Sequence, residues 1–505
     1  MKLSTLIKIG ALGLLWPSLG WAQGTIGGTG YYADVLQYSQ NELIGTARMQ
    51  GLGGAKASLG GDISLISVNP AGLGFFNKTA ISITPGVYSQ RANASYLDNQ
   101  ATDFVSPLAL GSFGVVFNDE LQGPTGDWRG GNLAIAHTRL NTYREKITYQ
   151  GDLTGLDTYD DFLGYAINDL NQNGLEGSSE LAFSAWDTFL VEEFVDENNN
   201  PFFDTYIFPP SEEFPVTQTE VIDITGRKNV FNISYGANYR DKFYIGAGIG
   251  FVSMQREITR TYSEVPFQDP DVQLLDLTIT EELDQSGNGF NANIGVIYRP
   301  VKFLTLGASV ETPTFMNMDE TFSQFVTANY TFNFPVEEAA GQSFESGAAS
   351  DSPFAFTMLT PMRARGGATI FLGKLGFISA DVEYVDYGTA SVSASGSSLT
   401  ADNELIQAYD SQINYSIGGE LRKDAFYARA GYSHRGDPVR ERLDGTNASL
   451  NYYTAGVGIR KERFFIDGAY VLGQTQSEWR RYANSPVAQV AQRESRIAVT
   501  LGVNF

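Results

Sequence analysis

The sequence predicts an all-β fold: a transmembrane antiparallel β-barrel of about fourteen strands, with an N-terminal plug in its lumen and a partly helical external loop. Three observations carry that expectation. Apolar and polar residues alternate over long runs; short, mostly charged reversals join one end of these runs; much longer polar segments join the other. A barrel threaded through a bilayer has this asymmetry because one rim is made of tight hairpins and the other is free to elaborate. Composition agrees. The 505 residues include no cysteine, 54 glycines, 26 tyrosines and 33 phenylalanines, and a mean hydropathy of -0.16 is too polar for a helical membrane protein. Strands that face lipid on one side and water on the other account for both the aromatic content and the modest hydropathy.

Residues 1–22 read as a secretory signal. Lys2 and Lys8 lie at its start, Ile9 to Trp16 form a short apolar core, and Gly20-Trp21-Ala22 is a small-x-small site, with cleavage before Gln23. Beyond it, no apolar stretch is long enough for a spanning helix. An exported chain of this kind is periplasmic, outer-membrane or secreted, and the absence of cysteine suits an oxidising compartment in which the fold needs no staples. Residues 23–78 do not alternate. They hold the run Gly45-Thr46-Ala47-Arg48-Met49-Gln50-Gly51-Leu52-Gly53-Gly54-Ala55, then Leu59-Gly60-Gly61-Asp62, then Val68-Asn69-Pro70-Ala71-Gly72-Leu73. Clustered glycines let backbone pack on backbone and Asn-Pro sets a turn, so a compact irregular unit is expected. Such a unit cannot cross lipid, but it fits a polar lumen.

The barrel is expected to occupy residues 79–505, with strands near 79–91, 107–118, 131–150, 216–240, 242–264, 272–299, 302–330, 354–372, 375–390, 405–422, 425–435, 449–460, 463–475 and 492–505. The short reversals fall at Asn118-Asp119-Glu120, Tyr239-Arg240-Asp241-Lys242, Tyr298-Arg299-Pro300, Gly373-Lys374-Leu375, Arg422-Lys423-Asp424 and Arg460-Lys461-Glu462. On the last strand Ile497, Val499, Leu501, Val503 and Phe505 share one face, and Arg496, Ala498, Thr500, Gly502 and Asn504 the other. A soluble sandwich buries large apolar residues on its inner face, whereas here that face carries Arg and Asn.

Residues 151–215 form an external loop with fifteen Asp and Glu and no Lys or Arg, out of a net charge of -23 for the chain. Within it, Asp169-Leu170-Asn171-Gln172-Asn173-Gly174-Leu175, closed by Glu180, matches the spacing of a calcium-binding loop, in which alternate side chains and one carbonyl surround a hard cation. Asp169, Asn171, Asn173, Leu175 and Glu180 are the candidate ligands, flanked by helical patterning. The same segment also reads as a solvated acidic helix-turn-helix lid. Apolar groups in Phe202-Phe203, Tyr206-Ile207-Phe208 and Phe315-Met316 interrupt otherwise polar loops, either to capture a hydrophobic ligand or to pack the loop cap.

The glycine-rich run at 45–55, followed by Asn69-Pro70-Ala71-Gly72-Leu73, resembles the hatch of the FadL/TodX family of outer-membrane transporters for hydrophobic compounds. The strand count, the terminal Phe505 and the stretch Ile378-Ser379-Ala380-Asp381-Val382-Glu383-Tyr384-Val385-Asp386-Tyr387 extend the resemblance over the mature chain. It implies that Asn69, Pro70 and Ala71 belong to a hatch that blocks the lumen and that substrate leaves sideways through the wall. It further implies passive uptake of a hydrophobic small molecule such as a long-chain fatty acid, across the outer membrane of a Gram-negative bacterium. The expected partners are outer-membrane lipid and the barrel-assembly machinery, which reads a terminal Phe505. The alternative is an outer-membrane scaffold or shuttle for secreted proteins, since members of the family also serve secretion systems. A lateral opening needs an interrupted strand, for which Gly111 and Gly114 or the polar third strand are the candidates.

The acidic balance, with no basic patch, excludes nucleic acid as a natural partner. No Ser/His/Asp arrangement is readable, so no enzyme is expected. No cofactor is required apart from the candidate calcium, and His137 and His434, on distant segments, do not support haem.

Overall fold

The computed structural model describes residues 30–119, 126–155, 160–207, 210–212, 215–266, 273–350, 352–440, 447–482 and 485–505. The signal at 1–22, residues 23–29, Glu120 and Phe208 lie outside them. Among the described residues, fourteen wall strands follow one another in antiparallel order. They are β1 (Ala80–Tyr96), β2 (Asn99–Val105 and Leu108–Asp119), β3 (Trp128–Asn141 and Glu145–Leu153), β4 (Val216–Tyr239) and β5 (Phe243–Pro266). Next come β6 (Leu274–Val301), β7 (Leu304–Glu311 and Phe315–Tyr330), β8 (Phe354–Leu359 and Arg363–Phe371), β9 (Gly376–Asp386) and β10 (Ser411–Lys423). The last are β11 (Phe426–Arg435), β12 (Leu450–Lys461), β13 (Phe464–Trp479) and β14 (Ala488–Asn504). β14 pairs with β1 from Asn504↔Ala80 to Gln489↔Ser95, which closes the cylinder.

Closure follows from the solvent. In hydrocarbon an unpaired backbone group costs several kcal/mol, so a sheet can span lipid only without edges. The side chains sort accordingly. On β5, Phe243, Ile245, Ile249 and Phe251 are exposed on the outer surface, and Tyr244, Val252 and Met254 between them are buried within. On β14, Ile497, Val499 and Leu501 are exposed and Arg496, Ala498 and Thr500 are buried. Five of the six tight turns fall where the sequence places them; most of the link from Asp119 to Trp128 lies outside the described residues. Arg240 and Asp241, for instance, turn β4 into β5 at φ of 55° and 53°, the mirror-image geometry that matches strand twist.

Residues 31–76 lie inside the cylinder: α1 (Tyr31–Ser39) sits on the long-loop side, against the helix Thr400–Gln407, and α2 (Ala47–Gly51) and two 3₁₀ turns, Ile63–Ser67 and Pro70–Phe75, sit nearer the tight-turn rim. Thr46 caps α2 and bonds Asp62 at 2.9 Å, which explains the Thr-Ala-Arg and Gly-Gly-Asp elements. Polar contacts tie the segment to the wall around its circumference. The Ala47 amide donates to Thr500 (2.7 Å), Arg48 to Glu420 (3.2 Å), the Lys56 and Ala57 amides to Asp381, and Thr305 to the Ser58 carbonyl (2.9 Å). Asn69 is fully buried. Its side-chain oxygen accepts from the Ala71 amide (3.1 Å) while its amide nitrogen donates to the carbonyls of Ala57, Val296 and Ala308 at 2.6 to 3.4 Å. Close approach needs glycines in the wall. A Cβ on Gly236 or Gly246 would run into Pro70, and one on Gly418 or Gly431 into Leu52 and Gly53.

The structure corrects several expectations. β2 begins at Asn99 rather than near 107, because Leu97 and Asp98, at φ of 43° and 64°, make a two-residue turn on the outer rim where a longer connection was expected. Residues Thr400–Gln407 are helical instead of opening the tenth strand. Phe315 and Met316 are not loop residues: they begin the second piece of β7, so neighbouring side chains face opposite ways. Phe315 points outward, stacked on Phe290 at 5.9 Å, and Met316 points into the lumen.

Asn69→Ala removes the three donated bonds and is expected to cost about 1–3 kcal/mol. The wall does not rest on these bonds, so the variant should keep its heat-modifiable gel mobility while its N-terminal segment becomes open to protease. A segment as protected as in the unaltered chain would contradict the anchoring role of Asn69.

Candidate functional site

Because the strand period is two, a wall strand's inner face reads out the lumen from one rim to the other. On β5 this face runs Met254, Arg256, Ile258, Arg260, Tyr262 and Glu264 toward the outer rim, all buried. This layering was not among the expectations from sequence; charges on a face that also carries apolar residues are the signal that could have shown it.

The outermost layer is a lid. The helices α3 (Phe162–Gly177) and α4 (Glu180–Asp187) press Phe162, Ala166, Leu170, Leu181 and Ala185 against the inner faces of β5, β6 and β7 at Tyr262, Leu277, Ile279, Val326 and Tyr330. Ser179 caps α4, and Asp161 caps α3 through a 2.8 Å bond from the Gly164 amide. Burial raises the Asp161 carboxyl to about 6. The calcium-loop geometry is not formed here. Residues 169–173 continue the helix, and the chain leaves helical geometry only at Gly174 (φ 70°). Asp169 accepts from the Ser179 amide (2.8 Å) and from Asn173 (2.6 Å), Asn171 exchanges two 2.8 Å bonds with the Phe203 backbone, and Glu180 is exposed at the start of α4. Leu175 packs against the lid's apolar cluster. Among the described residues, no three His, Cys, Asp or Glu stand together as a metal site. Phe202, Phe203 and Tyr206 lie in or beside a small hairpin, Glu192–Val195 with Pro201–Asp204. Phe194 packs on Phe202 (5.8 Å) and Tyr206 (5.0 Å), and Tyr206 on Phe334, so these rings pack the cap.

Beneath the lid lies a belt of buried charge. Arg481, from the β13–β14 connection, reaches into the lumen and donates to both oxygens of Glu281 at 2.7 and 2.8 Å. Arg260 donates from Nε to Glu220 at 2.7 Å, and Tyr149 also donates to Glu220. All four charged side chains are at most 2 % exposed, so each ion has been stripped of water and depends on its partner.

Below the belt is a methionine-rich layer. Met254, Met316, Met318 and Met358 meet Ile222, Ile224, Ile258, Leu283 and Phe356 there, with Val35 and Leu36 of α1, and a polar group of Arg256, Asp34, Gln285 and Glu320 lies beside them. Four thioethers in one cluster give a surface that can reshape around ligands of different form. On one side the layer reaches Tyr143, Ile147 and Tyr149 of β3.

At that side the wall is broken. β2 and β3 pair only from Ser112↔Thr138 to Asp119↔Gly131; above that point the backbone ladder of 99–105 runs with β1 and that of 145–153 with β4, and among the described residues the two pieces meet only through the Asp103 side chain on Thr148. β2 is interrupted at 106–107 and β3 at 142–144, with Tyr143 at φ 35°. Backbone groups released from the ladder find partners inside the protein, as hydrocarbon demands. The Glu42 amide donates to the Leu140 carbonyl and the Thr142 amide to the Glu42 carboxylate, both at 2.9 Å, while the Thr148 amide donates to Asp103 at 2.6 Å. Arg496 holds Glu42 from the opposite side at 2.9 Å. The third strand therefore turns inward to the N-terminal segment rather than to its neighbour. The sequence had offered the polar third strand as one of two places for such a break.

A cavity of about 190 Å³ lies inside the break, lined by Tyr88, Gln90, Asn141, Tyr143, Glu145 and Arg496. Residues 41–44 separate it from a second, more charged cavity of about 140 Å³ that includes Lys56, Arg363, Arg365, Glu383 and Arg435. Burial pushes the Lys56 ammonium down to about 8, with Asp62 pulling the other way.

No protein-family profile and no curated protein matches the sequence. Solved structures do. A FadL homologue of Pseudomonas aeruginosa superposes with a TM-score of 0.56 at 12% identity, over 92% of this chain and 99% of that one. The toluene transporter TodX of Pseudomonas putida superposes with a TM-score of 0.52 at 13% identity, over 92% and 99%. At that identity the superpositions speak for the fold: the chain has the fold of the FadL and TodX channels.

Proposed function

We propose that the protein is an outer-membrane channel for passive uptake of a hydrophobic small molecule, which enters under the lid, occupies the methionine-rich layer and leaves sideways into lipid between β2 and β3. The observation that carries this reading is the broken ladder, set against a straight path held shut by the N-terminal segment. Asn69, Pro70 and Ala71 act as part of a hatch: Asn69 fixes it to β6 and β7, and Pro70 and Ala71 pack on β4, β5 and β6. A fatty acid fits the methionine-rich layer as a flexible chain, and an aromatic hydrocarbon fits it as a compact ring; toluene is what TodX is named for. Capture rests on Met316 and its neighbours rather than on the cap aromatics.

On this reading the charged belt is the gate. An apolar ligand cannot cross four desolvated charges between the lid and the methionine layer, so the β13–β14 connection must withdraw Arg481 before a ligand passes.

Two tests follow. Asp103→Cys with Thr148→Cys, in a chain without native cysteine, should form a disulfide that ties β2 to β3. Oxidation should then reduce uptake of a radiolabelled fatty acid or toluene by on the order of tenfold, and reduction should restore it. Uptake indifferent to oxidation would refute lateral exit. Arg481→Met leaves Glu281 buried without its bidentate partner and is expected to destabilise the closed lid by about 3–5 kcal/mol. Hydrogen exchange at 162–190 should accelerate; unchanged protection would contradict the gate.

A further inference from the structure

We infer that the tight-turn rim is built to hold the headgroups of anionic glycerophospholipids in the leaflet it faces, a surface that rests on the membrane placement proposed above. Five of the six short reversals repeat one pattern; the sixth, between β2 and β3, carries Asp119, Glu120 and Asp127 instead. Residues 240–243, 299–303, 373–375, 422–426 and 460–464 contain ten of the chain's 34 Lys and Arg but three of its 57 Asp and Glu. At four of these turns a cation is followed directly by a large apolar residue that opens the next strand or leads into it: Lys242-Phe243, Lys302-Phe303, Lys374-Leu375 and Arg463-Phe464. At the fifth, Lys423 precedes Phe426 by three residues.

The side chains stand where the pattern needs them. Phe243, Phe303, Leu375, Phe426 and Phe464 are 48 to 68 % exposed on the outer surface. Lys242, Lys302, Lys374, Lys423 and Lys461 are exposed beside them. A ring of apolar groups at the edge of the hydrocarbon, with ammonium groups one step beyond it, matches a lipid whose acyl chains and phosphate lie at those two depths. A rim that only needed solubility could carry either sign, and would not couple each cation to a lipid-facing ring. The opposite end has the opposite sign: residues 151–215 carry fifteen Asp and Glu and no cation.

The experiment uses the full chain purified in a non-ionic detergent, incubated with an equimolar mixture of phosphatidylglycerol and phosphatidylcholine and analysed by native mass spectrometry. The unaltered protein is expected to retain phosphatidylglycerol on the order of tenfold over phosphatidylcholine, with the preference collapsing in about 0.5 M salt. Substituting Lys242→Gln, Lys302→Gln, Lys374→Gln, Lys423→Gln and Lys461→Gln together should abolish the preference while heat-modifiable gel mobility is kept. If that variant does not fold, the salt dependence of the unaltered protein decides alone. Equal retention of both lipids, or a preference untouched by salt, overturns the proposal, as does capture of an acidic periplasmic protein by a rim indifferent to lipid. A chain soluble without detergent would instead overturn the membrane placement, so the two failures are told apart.

Discussion

Hydrocarbon offers no hydrogen bonds, and the architecture follows from that single shortage. Every amide in the spanning region must find its partner within the protein, so fourteen strands close on one another and β14 returns to β1. The constraint gives the exception its meaning. Where β2 and β3 part, the released groups are met by Asp103 and by Glu42, a residue of the N-terminal segment. An opening in a membrane barrel is stable only if something inside stands in for the missing strand. Here the internal segment both fills the lumen and completes the edge of the gap.

Specificity and closure then divide between layers. The methionine layer supplies adaptable apolar contact and little direction, as suits a ligand with few polar handles. The belt of Arg260, Glu220, Arg481 and Glu281 does the reverse, because buried ion pairs are weak sources of net stability but strongly oppose being separated. On the proposed reading, placing them between the lid and the methionine layer closes the resting lumen to hydrocarbon. The wall glycines do analogous work for the N-terminal segment: without them its backbone could not reach the strands it bonds.

Much of this was legible in the sequence, for identifiable reasons. Strand number and the tight turns came from period-two alternation and charged reversals, both local. The outward face of β14 could be read from Ile497 to Leu501 because lipid and water impose opposite demands on neighbouring residues. The site was less legible. The break at 142–144 depends on Glu42, about a hundred residues away, and Leu97 and Asp98 adopt positive φ without a glycine to announce it. Asp169 to Asn173 carry the spacing of a calcium loop, but helix propagation and the pull of Ser179 and Phe203 decide their conformation. Phe315 and Met316 looked like one apolar spot; a strand sends one to lipid and the other to the lumen. Arg481 could be found from sequence only by asking which connection must neutralise the inward charges of β4 and β6.

The central claim is that cargo leaves through the wall. A photoactivatable hydrophobic ligand, irradiated during uptake and mapped by peptide mass spectrometry, tests it most directly. The account predicts labels on the methionine layer and at residues 88–90 and 141–145, beside the break. Labels concentrated instead at 45–76 and on inward residues of the tight-turn rim, marking a straight path through the N-terminal segment, would contradict it.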